Sequence, residues 1–327
     1  MNTPIASKLD AGVSAVARAL REGLPLVAVI GQSSGWTQNS PDPVLIRAFE
    51  KTNRPGSTWA ELLGKEPLSG EFYEWLTERF MRRAAPRSLE EVADMPLSAV
   101  FTSTIDPGLA SLLSTNGRAP ETILLGNPVP SELRSTRRPP IFYLFGRSGV
   151  GIPDMDPPNT RQALIQRQFK HASAMLRNLT ECATPLGLIL IDGITSKDWL
   201  KIGNLLAELA SAPTGGVVWF GAEPQLNDEE NEQYLSLVNS GIILREERSL
   251  GETYAHLRAL EIIPPMENWD DPEIISLPDG QTMIITPKLR LITEATASIV
   301  DNSWTAFLAP LPDAHNSAAF QSFHAAN

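Results

Sequence analysis

The sequence predicts an α/β fold: a Rossmann-like, doubly wound, mostly parallel sheet with a helical insertion and a small C-terminal β-containing extension. Three observations carry that expectation. Continuous apolar runs of strand length, such as Leu24 to Ile30 and Leu186 to Ile191, fit strands covered on both faces. Segments of helical period separate those runs at a pitch that suits right-handed βαβ crossovers. The runs end in turns of small, hydroxyl or acidic residues, where open α/β sheets bind ligands. At 327 residues the chain can hold one large domain with an appendage.

In chain order, Ile5, Leu9, Val13, Val16 and Leu20 recur at helical spacing with charges between them, which predicts an amphipathic helix ending near Gly23. The first strand follows and runs into Gly31-Gln32-Ser33-Ser34-Gly35. Residues 41–95 read as a helical insertion, with helical patterns at 44–51, 59–63, 70–83 and 89–93 separated by Pro-Gly and proline-rich turns. Its aromatic set, Trp59, Phe72, Tyr73, Trp75 and Phe80, is expected chiefly as core. Ser98 to Phe101 form the central strand, which passes through Thr102-Ser103-Thr104-Ile105-Asp106 into a helix stopped by Asn116-Gly117.

Thr122 to Leu125 and Ile141 to Gly146 are the next strands, joined by an irregular connection that carries Arg134, Arg137 and Arg138. Thr160 to Leu179 reads as one long helix with Leu164, Phe169, Ala172, Met175, Leu176 and Leu179 on its buried side. The strand ending at Ile191 leads to Asp192-Gly193-Ile194-Thr195-Ser196-Lys197-Asp198. A helix over 199–210, a strand over 217–220, an acidic helix through Tyr234 and Leu237 and a last strand over 242–244 follow. Past residue 264 the texture changes: Pro264, Pro265, Pro272 and Pro278 break the chain, and Thr282 to Ile285 is expected to pair with Leu289 to Ile292. The chain therefore divides into an α/β domain, 1–264, and an extension, 265–327, expected to open a further region of a longer protein.

Composition narrows the classes. The net charge is −11 and the basic residues are dispersed, so nucleic acid is not an expected partner. Cys182 is the single cysteine, which excludes an intramolecular disulfide and a multi-cysteine zinc site; no metal is expected, and the setting expected is a reducing cytoplasm. No uncharged apolar run reaches the ~18 residues of a membrane span.

Three turns carry the functional reading. Gly31 to Gly35 place glycines and serines directly after a strand, where a backbone loop can approach a phosphate. Thr102 to Asp106 end the central strand in hydroxyls and a carboxylate, and Gly193, Thr195 and Asp198 follow the most apolar strand. In this order, over roughly residues 20–262, the chain resembles the sirtuin-like domains of bacterial defence proteins, a Rossmann-like family with a helical insertion whose active members cleave NAD. The resemblance implies NAD as cofactor, bound by Gly31, Ser33, Ser34, Thr102, Gly193, Thr195 and Asp198, and puts Thr104, Asp106 and Phe145 at the catalytic positions.

Against that family, Gln32 and Ser33 replace the second and third residues of a Gly-Ala-Gly turn, Thr104 stands at the asparagine and Phe145 at the histidine. A phenyl ring has no lone pair to take a proton, and general acid–base help is worth roughly 10²–10⁴-fold. The resemblance thus implies a degenerate module that senses a nucleotide or serves as a scaffold, with further domains of the same polypeptide, or copies of itself, as partners. The second expectation is an active NAD glycohydrolase in which Ser103, Thr104 or Asp106 orients water. The third is a Rossmann-like domain for an unrelated small ligand.

Overall fold

The computed structural model describes residues 10–37, 40–127, 136–151, 155–183, 187–211, 215–224 and 226–260, with the backbone of 273–276 and 282–285. Its seven-stranded sheet comprises β1 (Leu26–Ile30), β2 (Leu97–Thr102), β3 (Glu121–Ile123), β4 (Pro140–Tyr143), β5 (Leu188–Asp192), β6 (Val217–Phe220) and β7 (Ile243–Glu246). The order is β3-β4-β2-β1-β5-β6-β7 and every pairing is parallel, the Rossmann-like doubly wound arrangement that the apolar runs predict. The chain lays down β2, β3 and β4 on one side of β1, then crosses to the other side for β5, β6 and β7. The direction of winding therefore reverses between β1 and β5.

Every residue of β1, β2 and β5 is buried, so these strands read as continuous apolar runs and not as an alternation. The pleat still sorts them. Val27, Val29, Ala99, Phe101, Phe142, Ile189, Ile191 and Trp219 share one core, with Phe101 and Phe142 stacked at 4.4 Å between centroids. The intervening Leu26, Ala28, Val100, Ile141, Leu190 and Val218 are buried on the opposite face.

The N-terminal helix is α1 (Ala11–Glu22), and the insertion is built from α2 (Pro43–Thr52), α3 (Trp59–Leu62), α4 (Gly70–Arg82) and α5 (Arg87–Asp94). Its helices begin where capping residues stand in the sequence: Val44 N–H donates to Asp42 Oδ1 at 2.9 Å, Thr58 and Glu61 form a reciprocal capping box, and Ser69 accepts from Phe72 N–H. Trp59, Phe72 and Phe80 are buried, while Tyr73 and Trp75 pack partly buried against the same core. After β2 comes α6 (Gly108–Thr115).

The long helix departs from expectation. It is divided into α7 (Arg161–Arg167), a π-helical turn (Gln168–Ala172), α8 (Ser173–Leu176) and α9 (Asn178–Ala183). The wider turn rotates the stripe, so that Gln168 is 2 % exposed and Phe169, expected inside, is 62 % exposed. Burial of the amide is compensated in part: Gln168 Oε1 accepts from Lys201 N–H at 3.2 Å, while Nε2 is buried without a hydrogen-bond partner among the described residues, and the backbone carbonyl of Gln168 accepts from Ser173 Oγ at 3.0 Å. The outer Phe169 ring lies 5.4 Å beneath the Lys201 ammonium.

Beyond β5 the chain forms α10 (Ile202–Ser211), α11 (Asp228–Asn239) and α12 (Leu250–Ala259). Helix α12 is absent from the pattern-based reading. A capping box of Ser249 and Glu252 starts it, and Gly251 allows it to lie against α5, where an added Cβ would come within 2.0 Å of Ser88 O.

Two compact units divide the chain, residues 1–20 with 25–264 and residues 21–24 with 265–327. In the second, β8 (Glu273–Ser276) pairs antiparallel with β9 (Thr282–Ile285). Thr282–Ile285 is thus a strand, as expected, and it is paired with β8, a strand the sequence pattern did not single out. Residues 289–292 lie outside the described residues, as do His315 and His324. Among the described residues no helix is long and apolar enough to cross a membrane.

The rotated stripe is testable by urea unfolding. Phe169→Ala should change stability by about 0.5 kcal/mol or less, as at an ordinary surface position. Gln168→Ala, which removes the acceptor for Lys201 N–H, should cost about 1–2 kcal/mol.

Candidate functional site

Strands β1, β2 and β5 end level, since Ile30 is in register with Thr102 on one side and Asp192 on the other. The three turns singled out in the sequence therefore leave the sheet at one edge, and they bond to each other. Gly31 N–H donates to Asp192 O at 2.8 Å, Ser33 N–H to Gly193 O at 3.1 Å, and Ser103 N–H and Thr102 Oγ1 to Ile30 O, both at 3.1 Å. A Cβ on Gly31 would lie 2.1 Å from Gly193 O, and one on Gly193 (φ +70°) 2.1 Å from Ser34 N. Backbone meets backbone here, so only glycine fits either position. The crevice between β1 and β5, where such sheets commonly seat a ligand, is filled by the turns themselves.

Two carboxylates fasten the turns. Asp198 Oδ2 accepts from Gln32 N–H at 2.9 Å and Oδ1 from Leu200 N–H at 3.1 Å. Burial pushes the Asp198 carboxyl up to about 6, against the pull of the neighbouring Ser103 hydroxyl and those peptide N–H groups. No well-aligned hydrogen bond joins Ser103 Oγ to it. Asp192 is buried, receives Ser34 Oγ–H on Oδ2 and Leu250 N–H on Oδ1, and is raised by burial.

The open space lies on the other side of the first turn. A cleft of about 480 Å³, mouth included, runs between the Gly31, Gln32 and Ser34 turn, the Thr104, Ile105 and Asp106 turn, and a wall of the insertion formed by Trp36, Trp59 and Phe80. Asp42, Arg83 and Asp106 meet in it. Arg83 Nη1 is 2.7 Å from Asp42 Oδ1, and its Nη2 is bonded to Asp106 Oδ2. The guanidinium lies 4.8 Å from the Trp36 ring centroid and 5.3 Å from that of Phe80. Asp106 Oδ1 also accepts from Gly108 N–H at 2.7 Å. Burial lifts the Asp106 carboxyl to about 6, with Arg83 and Gly108 opposing.

Of the residues expected at a site, Gly31, Ser34, Thr104 and Asp106 line this cleft. Thr102 stands just behind it, 2.9 Å from Thr104 Oγ1. Ser33, Gly193 and Asp198 hold the turns together, and Thr195 serves its own turn, accepting Asp198 N–H on its carbonyl and Lys197 N–H on Oγ1. Phe145 is not brought to the cleft. It is fully buried, edge-on to Trp199 at 5.8 Å, and its carbonyl accepts from Arg167. Among the described residues, the cleft lining contains no histidine.

The chain matches no protein-family model and no curated protein. Among the described residues, the carboxylates lining the cleft, Asp42 and Asp106, both have partners, and the rest of the surface offers aromatic faces, hydroxyls and peptide groups. Sequence reasoning missed Asp42, Arg83, Trp36 and Gln32. Asp42 before Pro43 signals a helix cap, and nothing along the chain links it to Arg83 or Asp106.

A pH series tests the buried carboxyls. A folded-state value near 6, above the ordinary value of 3.8, means that the folded chain keeps a proton which the unfolded chain has released. The stability of wild type relative to Asp198→Asn should therefore be greatest near pH 4, fall by on the order of 1–3 kcal/mol as pH rises to about 6, and stay flat above. Urea unfolding of both proteins across pH 4–8 measures it.

Proposed function

We propose that the chain is a catalytically silent sirtuin-like module of a larger, cytoplasmic defence-type protein, working as a nucleotide-sensing or scaffolding element, with NAD as the nucleotide. One observation carries this reading. Asp106, the one ionisable residue expected at the catalytic positions, is tied to Arg83 and to Gly108 N–H, so it is not free to activate water. Phe145, whose ring lies in the core beside Trp199, brings no group to the cleft. The cleft between the β1 and β2 turns and the insertion offers the open space for a ligand at the carboxyl edge of the sheet.

Purified chain incubated with NAD, followed for nicotinamide release and by titration calorimetry, tests the proposal. Expected is binding without release for the sensing role, or neither for the scaffolding role; sustained release by the wild type sinks the silent reading. A Thr104→Asn, Phe145→His variant should gain no turnover, because position 145 does not face the cleft.

A further inference from the structure

The net charge of −11 is unevenly spread along the chain. Residues 157–180 contain no aspartate or glutamate, and residues 202–244 contain no lysine or arginine. Folding turns this segregation into two faces. Arg161, Lys170 and Arg177 are exposed along α7 and α8, and the exposed Lys201 joins them from the start of α10. On α11, Asp228, Glu229 and Glu232 are exposed. Each face also holds apolar side chains out of the core. Ile165 and Phe169, one turn apart, are 49 % and 62 % exposed, and Leu235, 41 % exposed, continues the stripe of Asp228 and Glu232 at helical spacing.

These helices form one layer on one side of the sheet, since Met175, Leu176, Leu205, Leu206, Tyr234 and Leu237 share a single core. Helix α10 lies between the other two. Asn204 Nδ2 donates to Ser173 Oγ of α8 at 3.3 Å, and Gly203 N–H donates to Glu230 Oε1 of α11 at 3.1 Å. Packed helices stand ~8–10 Å apart, which sets the basic and acidic faces of one molecule about 16–20 Å from each other. They are too far apart to neutralise one another by ion pairing. Among the described residues of α10, the exposed ones are Ala207 and Ala210, so the middle of the layer is small and carries no exposed charge. The layer therefore presents a basic face, a neutral strip and an acidic face in that order.

We infer that this layer is a docking surface for a second copy of the chain. A two-fold axis through the outer surface of α10 sets the α7–α8 face of each protomer on α11 of its partner. Unlike charges then meet twice, and Ile165 and Phe169 of one protomer cover Leu235 of the other. The short side chains of Ala207 and Ala210 let the two layers approach at the axis. A second copy is favoured over an unrelated partner because the chain itself supplies both halves of the match, in an order that a two-fold axis makes self-complementary. The contact involves neither the cleft nor a nucleotide, so it stands or falls separately from the proposed function.

Sedimentation velocity of the full chain tests the dimer by charge reversal. Wild type should dimerise reversibly, and less tightly at about 0.5 M salt than at about 0.05 M. One variant carries Arg161→Glu, Lys170→Glu and Arg177→Glu, the other Asp228→Lys, Glu229→Lys and Glu232→Lys. Each gives both faces of its own layer one sign of charge and should weaken self-association by about tenfold or more. An equimolar mixture of the two should recover the dimer, because an acidic layer then meets a basic one. All six positions are exposed, and urea unfolding of each variant confirms that it is folded. A wild type that stays monomeric, self-association that survives either reversal, or folded variants that do not associate on mixing would each overturn the dimer.

Discussion

Peptide groups buried at a sheet edge must find partners, and in this chain they find them in one another. Because β1, β2 and β5 stop level, the turns that leave them cannot be arranged independently. Gly31 N–H takes Asp192 O, Ser33 N–H takes Gly193 O, and Ser103 N–H takes Ile30 O. Gly31 and Gly193 follow from this constraint, since any side chain there would enter the backbone opposite. The placing of the cleft follows too. With the crevice between β1 and β5 closed, the cleft opens between the β1 and β2 turns and the helical insertion.

The same need for partners governs the charges. A carboxylate removed from water is costly unless ions or hydrogen bonds surround it. Asp198 meets the need with peptide N–H groups from two turns. Asp106 meets it with Arg83 and Gly108 N–H. In both cases the carboxylate is engaged in holding the structure together. Arg83 in turn brings Trp36 and Phe80 into its shell, so one side chain settles both the charge balance of the cleft and the position of its aromatic wall.

Much of this was legible in the residue order. Apolar runs located the strands because both faces of a parallel sheet are covered, and Asp42, Thr58 and Ser69 marked helix starts because a cap bonds only to its own first turn. Periodicity failed where the period itself changed: the π turn at Gln168–Ala172 moved Phe169 outward and Gln168 inward. It also passed over α12, whose start is set by Ser249 and Glu252 and whose packing on α5 depends on the missing side chain of Gly251.

The sequence by itself determined the α/β class, the parallel sheet, the helical insertion and the three turns at the carboxyl edge, all consequences of local pattern and local bonding. Tertiary structure alone decided which residues face the cleft. Asp42, Arg83 and Asp106 are scattered along the chain and meet only because α2, α4 and the β2 turn are folded onto one another. Phe145 went to the core beside Trp199 for a matching reason: an aromatic ring at a strand end takes whichever side offers apolar contact, and that choice belongs to the packing around it.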